Sequence, residues 1–182
     1  MKKTSFEDAL ILNAIRTARF FVQILPYRAS LRLGCLIGDV AYVLTKRRPV
    51  MVKNLRAAFA AEKTPREITR IARESFHNLG RVGIELLRAP DMDHAFISKR
   101  VTVVGREKVD LALKEGKGVI FLTAHFGSWE LLNISAGLYD FPITALAREQ
   151  KHPRSDAYLN GLRRSTGNEV LFKGMPVRDI LR

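Results

Sequence analysis

Val119-Ile120-Phe121-Leu122-Thr123-Ala124-His125-Phe126-Gly127-Ser128-Trp129-Glu130 is the stretch on which the fold class turns. Its first half is an apolar run, short and partly β-branched, and predicts a buried strand over Val119–Thr123. Gly127 then marks a turn, and Ser128 is placed to cap a helix that runs to about Gly137. His125 stands at the exit of that strand, held by a rigid element yet open to solvent, where a general base has to sit. An acid, Glu130, follows five residues later across the glycine.

Downstream the same alternation continues. Phe141–Ala147 reads as a strand, Ser155–Ser165 as a helix ended by Gly167, and Glu169–Phe172 as a further strand. Upstream, Val101–Val104 is a short β-branched segment, followed by Gly105, a helix over Lys108–Lys114 and a turn at Gly116 and Gly118. Strand–helix–strand alternation implies a mostly parallel sheet with helices on its faces. The first ninety residues differ. Leu10, Ile11, Ala14, Ile15, Ala18, Phe21, Val22 and Leu25 recur at helical spacing over residues 6–25, and Pro26 ends that helix. A second helix is expected over residues 29–45, with Gly34 and Gly38 spaced for close packing, and a third over residues 50–60. Thr64-Pro65-Arg66-Glu67 has the form of a capping box with proline at the first helical position, opening a helix that Ala89-Pro90 stops.

The expectation is one α/β domain over residues 1–182, with a helical membrane-proximal part (1–90) and a strand–helix part carrying the site (100–182). A chain of this length can bury roughly 70% of its unfolded surface. Pro176–Arg182 reads as the start of an amphipathic helix with no strand after it. The sheet is therefore expected to be incomplete at the C-terminus or covered by a partner at its edge.

The chain carries 31 basic and 18 acidic residues, a net charge of +13. Residues 1–60 hold eleven of the basic residues and only three acids, Glu7, Asp8 and Asp39. Such a field favours a polyanion, either nucleic acid or an anionic bilayer. The basic residues are interleaved with the apolar stretches Ala9–Ile15, Phe20–Tyr27 and Val40–Thr45, the composition of an interfacial membrane segment rather than of a dense nucleic-acid-binding cluster. No run of about 20 apolar residues is present to span a bilayer, because Arg16, Arg19, Arg28, Arg32 and Asp39 interrupt the N-terminal stretch. Glu7 and Asp8 arrive too early for a secretory signal, and the single Cys35 has no partner for an internal disulfide.

Two readings of His125 and Glu130 stand at this point. In one, His125 takes a proton from an attacking hydroxyl and Glu130 fixes its tautomer, as the acid does in a triad. Continuous helix would set the two about 140° apart, so this pairing needs Gly127 to break the path. In the other, Glu130 offsets the helix dipole in its first turn and His125 merely ends a strand. No serine or cysteine nucleophile is evident, which leaves direct attack of a substrate hydroxyl on an activated acyl group. The four histidines lack metal-ligand spacing. After Ala147 come Arg148, Lys151, His152 and Arg154, suited to phosphate or carboxylate. Asp156, Asn160, Arg163 and Arg164 then form one polar helix face, which a solvated surface explains equally well.

The His125-Phe126-Gly127-Ser128-Trp129-Glu130 segment resembles the H-x4-D/E box of glycerolipid acyltransferases, in the form found in bacterial lipid A (lauroyl/myristoyl) acyltransferases. Lys46-Arg47-Arg48 with Asn54-Leu55-Arg56-Ala57-Ala58-Phe59 is similar to an earlier stretch of that family, and Ser75-Phe76-x-Asn78-Leu79-Gly80-Arg81 with Glu85 to its next helix. Gly105, the Glu115-Gly116-Lys117-Gly118 turn and the block from Arg148 through Arg164 to Gly167 extend the likeness over nearly the whole chain. The resemblance implies a glycerolipid acyltransferase-like fold and acyl transfer from acyl carrier protein or acyl-CoA to a hydroxyl of a membrane glycolipid. It implies no cofactor and no metal, and a place at the cytoplasmic face of the inner membrane. It makes His125 and Glu130 the catalytic pair, with Gly127, Trp129, Arg148, Asn160 and Arg164 as substrate-binding candidates. Members commonly carry a hydrophobic N-terminal anchor and run on past the length seen here. Two rival classes follow from the same features: a truncated, catalytically silent membrane-surface module, and a nucleic-acid binder.

Overall fold

The computed structural model describes residues 5–59 and 61–172. Helix α4 (Pro65–Arg88) is the element around which the others gather. Its start is set locally. The Thr64 hydroxyl accepts from the Glu67 N–H at 3.3 Å, and the Glu67 carboxylate accepts from the Thr64 N–H at 2.9 Å, so the expected capping box is complete. One face of α4 buries Ile68, Ala72, Val82, Ile84, Glu85 and Leu86. A 3₁₀ turn at Ala89–Asp91 and the short helix α5 (His94–Ser98), both unexpected from the sequence, follow it.

Helix α2 (Tyr27–Leu44) lies against α4 at backbone distance. A Cβ on Gly34 would stand 2.9 Å from the Gly80 carbonyl carbon; one on Gly80 would collide with the Gly34 carbonyl oxygen, and one on Gly38 with that of Phe76. The small residues seen at four-residue spacing in the sequence therefore serve helix packing within the protein. Beside them Asp39 accepts from Arg73 Nε at 2.5 Å and Nη2 at 2.9 Å, and contacts His77 Nε2 at 2.7 Å. The Arg73 hydrogen bond, then that of His77, hold the Asp39 carboxyl well below the usual carboxylate range. Helix α3 (Arg48–Phe59) packs on α4 without burying a side chain fully.

Helix α1 (Ser5–Ile24) is tied at both ends. Arg88 donates through Nη1 to the carbonyls of Val22 at 2.7 Å and Leu25 at 2.8 Å, satisfying groups that the end of a helix leaves unpaired. Gln23 and Arg19 reach Asp91 at 2.9 and 3.3 Å. At its other end Asp8 meets the start of α8 (Pro153–Arg164).

The C-terminal half is a small α/β unit. Strands β1 (Thr144–Ala147) and β2 (Glu169–Phe172) pair in parallel, Thr144 opposite Glu169 and Ala147 opposite Phe172, with α8 as their crossover. Helices α6 (Arg106–Lys114) and α7 (Trp129–Leu138) precede them. Asn168, 1% exposed, ties α7 to the sheet: its amide donates to the Asn133 carbonyl at 2.7 Å and its oxygen accepts from the Ile143 N–H at 3.0 Å. Ala89, Met92, Ile97 and Ile134 form the apolar cluster joining the two halves, with Tyr27, Phe96, Val101 and Tyr139 packed against it.

The α/β class with a helical start is as expected, but two expected strands are not there. Val101–Val104 and Val119–Thr123 join no ladder among the described residues. Val119–Thr123 is not buried either, with Ile120 92% and Leu122 100% exposed. An apolar run signals a wish for burial, whereas a strand needs a hydrogen-bonding neighbour, and among the described residues β1 and β2 pair only with each other. The helix expected over Pro176–Arg182 lies outside the described residues.

Gly80→Ala should destabilise the fold by about 1–3 kcal/mol or more, because the backbones of α2 and α4 must separate. Gly83→Ala, where nothing lies within 4 Å of the new methyl, should instead stabilise it by about 0.5–1 kcal/mol. Urea denaturation of the two variants checks the contrast.

Candidate active site

The site is assembled on a turn that α4 grips at two successive residues. Asn78 Nδ2 donates to the Gly127 carbonyl at 2.6 Å, and the Ser128 hydroxyl donates to Glu85. Asn78 and Glu85 are seven residues apart, two helical turns, and so share one face of α4. Gly127 adopts φ +63°, the left-handed conformation that glycine enters without steric cost. That is the break between His125 and Glu130 which the spacing required. Ser128 also accepts from the Leu131 N–H at 3.1 Å, capping α7 as expected.

Glu85 is 5% exposed and accepts a second hydrogen bond, from the Tyr27 hydroxyl at 2.8 Å. Burial, followed by the charge of Glu85, pushes the Tyr27 phenol up, so it remains a neutral donor. Two hydroxyls thus satisfy a buried carboxylate that sits directly under the turn.

Glu130, in the first turn of α7, is buried, and both its oxygens are taken by Arg163. Arg163 Nε lies 3.1 Å from each oxygen and Nη2 2.7 Å from Oε1, the bidentate arrangement suited to a planar guanidinium. Arg163 Nη1 also donates to Asn160 Oδ1 at 2.8 Å. Asn160 is 1% exposed, and its Nδ2 has no partner among the described residues.

His125 is exposed and lies on the loop ahead of α7 rather than at the end of a paired strand. Its ring sits against Trp129, centroids 4.9 Å apart. No hydrogen bond joins His125 to Glu130 among the described residues. The expected direct pairing gives way to an ion pair with Arg163, because a buried carboxylate is better compensated by a two-pronged cation than by one imidazole nitrogen. Arg148, Asn160 and Arg164 line two pockets that share Glu149 and Gln150. Arg148 is exposed just past β1 and lines a pocket of about 460 Å³ with Glu149, Gln150 and Lys151. Asn160 and Arg164, with Asp156 and Phe172, line a pocket of about 300 Å³. Arg164 turns to β2, donating to the Val170 carbonyl at 3.1 Å and standing 3.6 Å from Glu169.

A sequence model of the bacterial lipid A biosynthesis acyltransferases matches residues 9–182. The chain belongs to that family. Among individual curated proteins, none matches it. Its enzymatic class is therefore acyl transfer in lipid A biosynthesis. Among the described residues no three His, Cys, Asp or Glu side chains gather as a metal-binding group.

Three residues at this acyltransferase's turn had no assigned role from sequence: Asn78, Glu85 and Arg163. The signal for the first two was their two-turn spacing. For Arg163 it was the polar face of α8, which named it together with its neighbour without choosing between them.

Arg163→Met should cost about 3 kcal/mol, the low end for stripping one partner from a buried pair, because the Arg163 side chain is itself 25% exposed. The double change Glu130→Gln with Arg163→Met should recover at least half of that loss, since no charge is then left buried alone. Chemical denaturation of the three proteins measures the difference.

Proposed function

We propose that this protein transfers a fatty acyl group from acyl carrier protein or acyl-CoA to a hydroxyl of a membrane glycolipid resembling a lipid A precursor, with His125 as general base. The observation that carries the reading is an exposed imidazole on a clamped turn, directly ahead of a helix N-terminus whose first-turn acid is already neutralised. The acceptor hydroxyl attacks the thioester carbonyl carbon while a ring nitrogen of His125 takes its proton. The C–S bond breaks, and the imidazolium returns the proton to the departing thiolate, giving ester and free thiol. The positive end of α7 favours the oxyanion formed in between. Glu130 alone would cancel that field; paired with Arg163 it does not. Glu130 then acts as half of a fixed ion pair beside the base.

Gly127 and Trp129 line the approach of the acyl donor in this reading. Arg148, Asn160 and Arg164 hold phosphate groups of donor or acceptor in the adjoining pockets. Residues 100–182 carry the chemistry and residues 1–90 face the lipid, with α4 reaching from one part into the other.

No helix among the described residues is long and apolar enough to cross a membrane. On α2, however, Leu36, Ile37, Val40, Val43 and Leu44 form one exposed apolar stripe, and exposed Lys46, Arg47 and Arg48 follow it. Apolar side chains beside cations fit an anionic bilayer surface, which supports a peripheral or monotopic place on the cytoplasmic face of the inner membrane.

His125→Ala should lower the rate of transfer of a radiolabelled acyl chain by about 10²–10⁴-fold, the usual worth of a general base. Its thermal midpoint should stay where it was. Wild-type turnover in that variant would end the assignment. Val40→Glu with Val43→Glu should abolish co-flotation with phosphatidylglycerol vesicles, and salt should weaken the wild-type binding. Flotation without turnover in the wild type would select the silent membrane module instead.

A further inference from the structure

Asp8 is 4% exposed, and the chemistry proposed above makes no use of it. Its partners lie 146 and 147 residues away. Oδ2 accepts from the Arg154 N–H at 2.8 Å, while Oδ1 accepts from the Ser155 N–H at 3.1 Å and the Ser155 hydroxyl at 2.9 Å. Those two N–H groups belong to the first turn of α8. A helix normally takes its cap from the residue just before it, yet His152, which holds that place, makes no side-chain cap. Asp8 supplies the cap from another helix. Burial would raise its carboxyl, but the two backbone N–H groups and the serine hydroxyl outweigh that and hold it below its ordinary value. The carboxylate therefore rests, ionised, on the positive end of α8.

Eight residues beyond Ser155, α8 presents Arg163 to Glu130. The helix packs more extensively on α1 than on any other element, and Arg16 of α1 stands over the Tyr158 ring at 5.4 Å. The far end of α1 is held by Arg88 of α4. Helix α1 is thus a brace between the helix that grips Gly127 and Ser128 and the helix that grips Glu130.

We infer that Asp8 is a positioning residue for acyl transfer: by tethering the N-terminus of α8 to α1 it sets where Arg163 holds Glu130 relative to the turn clamped by α4. The inference rests on the reading of the site given under Proposed function. A misplacement of even about 1 Å in such a frame can cost on the order of 10²-fold in rate. The tether and the cap can be separated, because His152 has the extended backbone of a capping position, φ −113° and ψ 98°.

The test compares Asp8→Ala, Asp8→Ala with His152→Asp, and the unaltered 182-residue chain. Turnover is measured in mixed micelles with myristoyl-carrier protein as donor and a lipid A precursor as acceptor. Emission of Trp129, the one tryptophan in the chain, reports on the site without substrate. Asp8→Ala should lower kcat at least about 10-fold with KM for the thioester little changed, as expected when geometry rather than binding is lost. Adding His152→Asp gives α8 a local cap, so the thermal midpoint should return while kcat stays low and Trp129 emission stays displaced from wild type.

Wild-type kcat in Asp8→Ala overturns the inference. So does recovery of kcat together with the thermal midpoint in the double variant, which would make Asp8 a cap and nothing more. If Asp8→Ala alone does not fold, the double variant decides; if that does not fold either, Asp8 maintains the fold and the positioning role is gone. His125→Ala assayed alongside keeps the two ideas apart. Full turnover there removes the reading of the site, whereas turnover lost in His125→Ala but kept in Asp8→Ala removes only the role of Asp8.

Discussion

Two hydrogen bonds from α4, Asn78 to the Gly127 carbonyl and Ser128 to Glu85, decide where everything near His125 can be. They act on consecutive residues of a turn whose glycine has no regular secondary structure to hold it. A backbone at φ +63° has little intrinsic preference to stay there, so the restraint must come from outside the turn. A long helix with a complete capping box is a suitable source. Its own geometry is set locally, and it is backed along its length by α2 at glycine-to-backbone contact. Stiffness passes from the α2–α4 contact through α4 into the turn, and from there to the cap of α7.

The two buried carboxylates beside that turn are satisfied in different ways, and the difference has a chemical consequence. Glu85 is met by two hydroxyl donors, Tyr27 and Ser128, which bring no compensating charge. Glu130 is met by a guanidinium that brings a compensating charge. Had the partners been exchanged, an uncompensated acid would sit in the first turn of α7 and oppose any negative charge developing at that helix end. The Arg163 partner leaves a neutral pair in the first turn of α7.

Much of this was legible in the sequence, and the limits are instructive. Helices α1 to α4 were readable because apolar spacing, Pro26 and the Thr64–Glu67 box are local signals. The parallel pair β1–β2 around α8 was readable from alternation. Val119–Thr123 was misread because hydrophobicity states what a segment avoids and says nothing about which neighbour will pair with it. At the site, Gly127 as a break and Ser128 as a cap were local and correct. The partner of Glu130 was not local. Arg163 and Arg164 are adjacent, about 100° apart around the helix, and which one reaches α7 depends on the rotation of α8. Helix α8 is met by contacts from the opposite end of the chain, at Asp8 and Arg16, which no local pattern announces.

Helix α1 departs from the usual distribution of polarity for a surface helix, although Val22 is buried and Glu7 and Arg16 are exposed. Asp8 and Arg19 face the protein and find partners there, while Phe6, Leu10, Phe20, Phe21 and Ile24 stand 58–79% exposed. Surface helices in water turn apolar side chains inward and charges outward. Burying a side chain of this size gains about 1.5–3 kcal/mol, so leaving five in water forgoes far more than the exposed pair of Phe20 and Phe21 can recover by edge contact. Among the described residues nothing covers that face, and it matches the lipid surface proposed above for residues 1–90. In the membrane-bound arrangement proposed above, α1 has lipid on one side and α8 on the other, and α8 is the helix that presents Arg163 to Glu130.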